Sequence, residues 1–470
     1  MKDNESVQVL SVTANGVQEN SLGVYSAVPK KTQFLAIRNS IIATNKGLLH
    51  VEDLVLRYKN TCTFSEKRIV NIVTFANGSS IACGEENKVL VYTKKMETVF
   101  RSVGALKKGD VVILMHGLKA FSPVTVSLDS IMGAPFRKPI KKRAPINVPS
   151  YMTPELATVL GFIGTNDCLR AGKIEFAEKE DILDIFKTSM HSLFGNRYVK
   201  TATPENNIGG GSTHEKMVKT TSMEVVDYIQ YSLENQFLTD RTVPKSILRS
   251  KPVHVMMYLR ALTLSGVVLK NGFIICKVLN FKFVREIILL LSQFNIKASA
   301  KRHGQIATYK SINEPNLLIP GWVIVVLGED ALRFYKLIGF IQEDKHKVGG
   351  KMVALLSESL GERVVPNMGI TKKVLNELSL KKLTLPTHLR THFRPETVNK
   401  AIEISVLQEL SDIGMPVPEM LINEYLDFTQ VIGNELSPYA VNTYDVYSED
   451  KTLFSCNNVI MMTEGAPTVK

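Results

Sequence analysis

An internal repeat in the middle of the chain constrains the fold more than any other feature of the sequence. Between about Thr153 and Phe340, the order helix, turn, strand, helix occurs twice. The first copy starts at Thr153-Pro154, an N-cap threonine before a proline at the first helical position, and continues with KIEFAE and ILDIFKTSMHSLFG. The second copy runs through VHVMMYLRALTLSG, FIICKVL and FKFVREIILLLSQFNI. This self-similarity predicts a domain of two equivalent halves.

The segments on either side of the repeat have β character. From about residue 34 to residue 116, alternating runs such as IVNIVTFANG and KVLVYTKK are separated by turn signals, including Asn77-Gly78 and residues 45–47. The pattern returns at residues 440–465 in TYDVYSEDKTLFSCNNVIMM. Residues 1–34 are polar and aperiodic, which favours an arm or a short accessory element.

The composition favours a polyanionic partner. Lysine and arginine number 57 against 45 acidic residues, which gives a net charge of +12. Cations that bind phosphates release condensed counterions, so such an excess promotes binding to nucleic acids. The richest apolar runs, EIILLLSQF and GWVIVVLG, are shorter than the roughly 18 residues of a membrane helix. The N-terminus MKDNESVQVL lacks a signal-peptide pattern, so we expect a cytoplasmic, unsecreted protein without a membrane partner.

Two basic segments are candidate contacts for phosphates. The stretch IMGAPFRKPIKKRAPINVPS contains four prolines and no acid, which predicts an extended linker. Its candidates are Arg137, Lys138, Lys141, Lys142 and Arg143. The stretch KKLTLPTHLRTHFRP adds Lys381, Lys382, Arg390 and Arg394. The alternative for both segments is a solvated basic surface.

The sequence gives little reason to expect a structural metal site. His388 and His392 lie four residues apart, but Pro386 disfavours the helix they would need, and we interpret them as surface histidines. The five cysteines are scattered and form no Cys-x-x-Cys pair, so we expect inert thiols without a disulfide framework.

The two repeat helices resemble the paired motifs of LAGLIDADG homing endonucleases. Gly161 and Gly164 in VLGFIGTND, and Ala261 in YLRALTLSG, are small residues of the kind that close helix packing requires. The stretches RTVPKSILRSKPVHVMMYLRAL and GWVIVVLGEDALRFYKLIGF extend the resemblance. It implies a pseudo-two-fold αββαββα domain whose strands lie along DNA. It also implies an acidic residue at the end of each motif helix that holds divalent metal.

The β segments resemble the conserved blocks of an intein, or Hint, domain. The matching stretches are NSIIATNKGLLHVEDL, NGSSIACGEENKVLVYTKKMETVFRSVGALKKGDVVIL and NTYDVYSEDKTLFSCNNVIMM. The resemblance implies an α+β protein in which N- and C-terminal segments form one all-β Hint-like domain with the LAGLIDADG domain inserted. The expected boundaries are 1–34 for the arm, 35–130 for the N-terminal part of the Hint-like domain, 131–150 for the basic linker, 151–340 for the LAGLIDADG-like domain, 341–435 for a helical basic segment and 436–470 for the C-terminal part of the Hint-like domain.

The residues that splicing needs are replaced. Leu35 stands where an intein carries its nucleophile, and an alkyl chain cannot attack a carbonyl. Gly84 and Asn87 stand where the resemblance implies threonine and histidine, and Met462 and Thr463 where it implies histidine and the cyclising asparagine. We therefore expect no self-splicing.

The nuclease residues are replaced as well. Asn166 and Ser265 occupy the positions of the two metal-binding acids. Asp167 lies one residue late, a rotation of about 100° on a helix. Mg²⁺ prefers carboxylate oxygens, so we expect no cofactor and no catalytic residue, with Asp167 as the possible remnant.

We therefore hypothesise a non-enzymatic DNA-binding protein, in which strand residues of the repeat contact DNA. The candidates are Lys173, Glu175, Lys277, Lys282, Lys297 and Lys301. More loosely, the chain resembles intein- and endonuclease-like accessory subunits of large-phage multisubunit RNA polymerases, which implies a protein complex for transcription in the host cytoplasm or nucleoid. One alternative is an active site-specific endonuclease that uses Asp167 and Mg²⁺. Another is a structural subunit whose basic surface binds an acidic protein.

Overall fold

The chain forms two compact units, each discontinuous in sequence. The computed structural model describes residues 8–13, 16–21, 33–37, 40–44, 46–57, 62–95, 97–125, 127–132, 146, 148–165, 168–170, 172–202, 216–233, 242–278, 280–307, 318–358, 364–365, 370–381, 384–394, 402–415, 417–423, 425–447 and 453–462. The terminal unit comprises Met1–Ala120, Ser292–Lys297 and Leu360–Lys470. The central unit comprises Phe121–Leu291 and Ala298–Ser359.

The elements before the linker are mainly strands. They are β1 (Gln8–Thr13), β2 (Gly16–Ser21), β3 (Gln33–Ile37), β4 (Ile41–Thr44), β5 (Gly47–His50), α1 (Val51–Arg57), β6 (Cys62–Arg68), β7 (Asn71–Phe75), β8 (Ser80–Cys83), β9 (Lys88–Tyr92), β10 (Thr98–Ser102) and β11 (Val111–Met115).

Helices and strands alternate through the middle of the chain. They are α2 (Leu128–Met132), α3 (Pro154–Thr165), β12 (Leu169–Arg170), β13 (Lys173–Phe176), α4 (Glu180–Phe194), β14 (Lys200–Ala202), β15 (Met217–Thr220), α5 (Met223–Ser232), α6 (Lys245–Leu248), α7 (Pro252–Leu262), β16 (Val267–Leu269), β17 (Gly272–Val278), α8 (Phe281–Gln293), β18 (Ser299–Ala307), β19 (Leu318–Leu327), α9 (Gly328–Leu337) and α10 (Glu343–Glu358).

The chain ends with short helices followed by strands. These are β20 (Val364–Val365), α11 (Ile370–Lys381), α12 (Thr387–Arg390), β21 (Ile402–Glu403), α13 (Ile404–Asp412), α14 (Glu419–Ile422), β22 (Leu426–Leu436), β23 (Val441–Tyr447), β24 (Leu453–Cys456) and β25 (Val459–Met462). The protein is thus mixed α and β with large antiparallel sheets, as the predicted α+β class requires. No helix in the described ranges combines the length and hydropathy of a membrane span.

The terminal unit is built on one extended antiparallel sheet that joins N- and C-terminal strands. Its order is β2-β1-β4-β24-β25-β9-β11-β22-β7-β8-β3-β23-β6, with β10 on β9 and β5 on β4. The long strand β22 pairs with β11 through its first half and, after a bulge between Val431 and Gly433, with β7 through its second half. Segments more than 300 residues apart in the chain therefore share one sheet.

Apolar alternation explains how these strands pack. Along β7 the residues Asn71, Val73 and Phe75 are buried and the intervening side chains are more exposed, as expected for a strand with one covered face. All of β11 is buried, which matches its unbroken run VVILM. The predicted turn at Asn77-Gly78 joins β7 to β8, and Gly78 adopts a φ of 85° that favours glycine. The five cysteines are buried and free.

Within residues 1–34, for which the sequence favours an arm or a short accessory element, the structure contains a pair of strands. Strands β1 and β2 form a hairpin in which Thr13 lies opposite Gly16, and β1 also pairs with β4 and β24. The apolar residues of the hairpin are Val9, Leu10, Val12 and Val17. They follow no clear period of two, so the sequence carries no strand signal there. The predicted helical segment 341–435 also differs in detail. Helix α10 belongs to the central unit, and strand β22 begins at Leu426, ahead of the expected boundary.

The central unit contains two four-stranded antiparallel sheets of equivalent order. The first is β12-β13-β15-β14 and the second is β16-β17-β19-β18. Along the chain, each sheet follows one helix of a pair, α3 or α7. A second helix, α4 or α8, lies in the chain between the first two strands and the last two strands of that sheet. Helix α3 begins at Pro154, and the Leu156 amide donates to the Thr153 hydroxyl at 3.2 Å. The predicted N-cap is therefore confirmed.

Candidate nucleic-acid interface

Helices α3 and α7 approach each other closely at Gly161. A Cβ atom on Gly161 would lie 2.5 Å from the Tyr258 carbonyl oxygen and 2.7 Å from the Ala261 Cβ. Both distances are shorter than any normal contact, so only glycine fits without a backbone shift. At Gly164 the nearest atom would be a Leu262 methyl at 3.0 Å, a tight but flexible neighbour. The small residues singled out in the sequence therefore lie at the helix contact.

The end of helix α7 carries a lysine ammonium group close to Ser265. A 3-10 turn, Thr263–Ser265, continues the helix, and its Ser265 hydroxyl accepts a hydrogen bond from the Lys277 amide at 3.2 Å. The Lys345 ammonium, from helix α10, donates to the Leu264 carbonyl at 2.8 Å. A positive charge at a helix C-terminus is favourable, because the carbonyl groups there carry partial negative charge. Asn166 and Asp167, at the end of α3, lie outside the described residues.

Opposing charges surround Lys345. Partial burial lowers the pKa of Lys345; Asp344 and Glu178 oppose this effect, whereas Lys179 and Lys277 reinforce it. Asp344 also binds the Lys179 ammonium at 2.9 Å. Charges of both signs therefore lie near the end of α7: the ammonium groups of Lys345, Lys179 and Lys277 and the carboxylates of Asp344 and Glu178. Among the described residues, the structure contains no group of three or more histidine, cysteine or acidic side chains that could hold a metal ion.

The first sheet carries a row of charged residues across three strands. Glu175 on β13 lies opposite Lys219 on β15, which lies opposite Lys200 on β14. The Glu175 carboxylate binds the ammonium groups of Lys219 at 2.9 Å and Lys173 at 2.8 Å. Burial alone would raise the pKa of Glu175, but hydrogen bonds from the two lysines outweigh it and lower the pKa. Two of the lysines on this face are therefore partly neutralised.

The second sheet carries an equivalent row without an acid. Lys277 on β17 lies opposite Val323 on β19, which lies opposite Lys301 on β18. Both lysine side chains are exposed, and Val323 is buried between them. No described carboxylate forms an ion pair with either ammonium group. This row presents two available cations on one face.

The opposite faces of the two sheets are apolar and buried. Phe176 on β13 stacks on Phe186 of α4 at 4.4 Å between ring centroids, and Phe162 of α3 packs beside them at 5.2 Å. In the second half, Phe273 on β17 contacts Phe334 and Phe340. Because side chains alternate along β13, packing of Phe176 directs Glu175 to the other face. In β17 a bulge between Ile274 and Lys277 shifts the alternation, so Lys277 lies on the face opposite Phe273 although it is four residues later.

A groove lies at one end of the first sheet. It has a volume of about 630 Å³ and lies among β14, β15, the 3-10 turn Asn196–Tyr198 and the start of α5. Its lining includes Arg197, Tyr198, Lys200, Lys219 and Ser222. The Arg197 guanidinium lies 4.5 Å from the centre of the Tyr198 ring, a cation–π distance.

The remaining predicted strand lysines differ from these rows. Lys297 belongs to the terminal unit, where its ammonium binds the Asp427 carboxylate at 2.9 Å and the Leu426 carbonyl at 3.1 Å. It is only 14% exposed, so we exclude it from the interface as a structural ion pair. Burial would raise the pKa of Asp427, but Lys297 and His116 hold that pKa well below its usual range. Lys282 lies in the first turn of α8, off both rows.

The structure describes only part of the two basic segments that are predicted to contact phosphates. The Arg390 guanidinium donates to the Leu385 carbonyl at 2.8 Å, and Arg394 is exposed. His388 binds Glu409 at 2.8 Å, and helix α12 ends before His392, so the two histidines do not share a helix. Lys382, the side chain of Lys381 and the linker candidates Arg137, Lys138, Lys141, Lys142 and Arg143 lie outside the described residues.

The described residues at the positions that the intein resemblance assigns to splicing all belong to the terminal unit. Strand β3, which contains Leu35, pairs with β8 at Ala36 and Cys83, and the turn from Gly84 to Asn87 leads into β9. Strand β25 ends beside β9, where Met462 lies opposite Lys88. Thr463 lies outside the described residues. Burial raises the pKa of the Cys83 thiol, so this nearest cysteine is a poor nucleophile near neutral pH.

Sequence reasoning missed Arg197, Lys200, Lys219 and Lys345. Strands β14 and β15 span only three and four residues, too short for a reliable periodic signal. The bond from Lys345 to Leu264 joins residues 81 positions apart, and no local pattern reports it. No known family model matches this chain, and no curated protein does either.

Proposed function

We propose that this chain is a non-enzymatic nucleic-acid-binding protein derived from an inactivated intein with an inserted LAGLIDADG homing endonuclease. The observation that carries the proposal is the pair of equivalent lysine rows in the central unit. One row holds Lys219 and Lys200, and the other holds Lys277 and Lys301. The aromatic rings described above pack on the other face of each sheet.

The spacing of the second row suits a phosphate backbone. Neighbouring strands lie about 4.8 Å apart, so Lys277 and Lys301 are separated by roughly 10 Å at their backbones. Long lysine side chains reach phosphates on either side of that span as point charges. Each neutralised phosphate releases counterions, which favours binding to a polyanion over binding to an isolated acidic group.

The charges at the end of α7 support binding without cleavage. Ser265 supplies a hydroxyl where the LAGLIDADG resemblance implies an acid, and the Lys345 ammonium lies one residue away on the Leu264 carbonyl. A fixed cation repels Mg²⁺, which needs several oxygen ligands. The same ammonium attracts a phosphate, so the position favours affinity and disfavours metal-assisted hydrolysis.

The terminal unit supports the intein part of the proposal. Strands from both ends of the chain share its sheet: β3, which carries Leu35, pairs with β8, and β25, which carries Met462, pairs with β9, the strand that follows Asn87. An alkyl chain, an amide and a thioether there cannot supply the nucleophile or the acid–base groups of splicing. This unit would serve as a scaffold.

The setting we propose is a subunit of a larger transcription complex, such as a phage-type multisubunit RNA polymerase. The terminal unit exposes apolar side chains that suit a protein partner, including Leu436 at 63% and Tyr439 at 78%. The net charge of +12 suits the nucleic acid that such a machine holds.

Binding of full-length protein to labelled duplex DNA, measured against salt concentration with EDTA present, tests the proposal. We expect log affinity to fall linearly with log salt, by about 0.9 for each phosphate contact. Absence of salt-dependent binding, alone or in the native complex, would favour the structural subunit. Specific cleavage after addition of Mg²⁺, abolished by Asp167→Ala, would favour the endonuclease.

A further inference from the structure

The groove at the end of the first sheet is lined in part by Lys200 and Lys219, the lysines of the first row. Its volume of about 630 Å³ falls within the usual range for sites that enclose small ligands. A duplex is far wider than such a groove. A single nucleotide is of suitable size.

The charges in the groove suit a phosphate group. Arg197 and Lys200 are exposed, and no described carboxylate pairs with either side chain. One acid, Glu224, also lines the groove, and its carboxylate accepts a hydrogen bond from the Ser222 hydroxyl at 2.8 Å. Stacking on Tyr198 restricts the Arg197 guanidinium, so less conformational entropy is lost when it binds a phosphate.

The rest of the lining suits a sugar and a base. Tyr198 is half-buried and supplies an aromatic ring beside the two cations. Hydroxyl groups of Thr201, Thr220 and Ser222 supply hydrogen-bond donors and acceptors around it. An aromatic ring next to cations is the usual combination for unpaired bases, whose faces are accessible in a single strand and hidden in a duplex.

We propose that this groove binds one unpaired nucleotide, with its phosphate on Arg197 and Lys200 and its base against Tyr198. The proposal rests on the proposed function and specifies its ligand as nucleic acid with a single-stranded portion beside a duplex. The row of the second sheet, Lys277 and Lys301, would contact the duplex, and the groove would recognise the strand where pairing ends.

The test compares two labelled DNA probes of identical duplex sequence, one blunt and one with a short single-stranded extension. Full-length protein should prefer the extended probe by about fivefold or more, the lower range for one stacked base. Tyr198→Leu should reduce the ratio of the two affinities to about one, and Tyr198→Phe should keep it. Arg197→Ala with Lys200→Ala should also reduce the ratio. Lys187→Ala with Lys336→Ala, on helices α4 and α9, removes the same charge as that double variant and should leave the ratio unchanged.

The outcomes separate the two proposals. Equal affinities of the natural protein for both probes, or a preference that survives Tyr198→Leu, would overturn the nucleotide site and leave duplex binding intact. Absence of salt-dependent binding to either probe would overturn both proposals.

Discussion

The two sheets of the central unit share a strand order but differ in how their charges are balanced. In the first sheet Glu175 lies between Lys173 and Lys219 and binds both. In the second sheet Val323 takes the middle of the row, and Lys277 and Lys301 remain exposed. The same backbone therefore presents a partly neutralised face in one half and a cationic face in the other. We infer that the second half contributes more to the electrostatic part of the affinity for nucleic acid. The first half contributes more through the fit between the protein surface and the nucleic acid.

The two halves of the central unit meet through close packing of helices α3 and α7 at Gly161. Gly161→Ala should destabilise the protein by about 2–3 kcal/mol, because the new Cβ would lie 2.5 Å from a backbone oxygen. Alanine is otherwise the better helix former, so a loss identifies packing as the cause. The measurement is the free energy of unfolding in urea. Gly433→Ala, where no atom lies within 4 Å of the new Cβ, is the control and should change stability by less than about 1 kcal/mol. A neutral or stabilising Gly161→Ala would contradict the close approach.

The second sheet should account for the larger electrostatic effect. Lys277→Ala with Lys301→Ala should weaken duplex binding and flatten the salt slope by about 1.8, because two phosphate contacts are lost. Salt titrations of affinity provide the measurement. Lys187→Ala with Lys336→Ala removes the same charge from helices α4 and α9 and should have little effect on the slope. If both double variants behave alike, net charge rather than the row governs binding.

The end of α7 should add one further contact. Lys345→Met keeps the aliphatic chain and removes the ammonium, so the salt slope should flatten by about 0.9. The variant should still leave duplex DNA uncut in Mg²⁺. Lys336→Met, at the exposed end of α9, serves as the control. An unchanged slope for Lys345→Met would mean that this ammonium does not face the nucleic acid.

The ion triplet of the first sheet should have a small, pH-dependent effect on stability. Glu175 has a lowered pKa in the folded protein, so its contribution is present above its ordinary pKa of about 4.3 and is lost as the pH falls through the folded pKa. Glu175→Gln should cost at most about 1 kcal/mol at pH 7, because both lysines are partly exposed. Unfolding of the two proteins at neutral and acidic pH measures the difference, which should disappear in acid. A difference that persists there would have another cause.

The sequence predicted the features that depend on local patterns. The Thr153 cap, the turn at Asn77-Gly78 and the small residues of the helix pair all appear as expected, because each follows from neighbouring residues or a short period. The hairpin of β1 and β2 was not predicted, since its four apolar residues are irregularly spaced.

Pairings over long distances in the chain escaped prediction. Lys297 follows helix α8 and looks like a strand lysine in sequence, yet it binds Asp427, 130 residues later. Lys345 reaches Leu264 across 81 residues. Charge and spacing show that a lysine is available for binding, whereas only the fold shows which carboxylate or carbonyl occupies it.

Binding of nucleic acid by Glu175→Gln tests the central claim most directly, because the expected change is a gain that misfolding cannot imitate. The substitution releases Lys173 and Lys219 from their shared carboxylate and keeps the side chain's shape. If both sheets face a polyanion, the variant should bind duplex DNA more tightly than the natural protein at low salt, with a steeper salt slope. Equal or weaker binding with an unchanged slope would contradict a nucleic-acid interface on the first sheet.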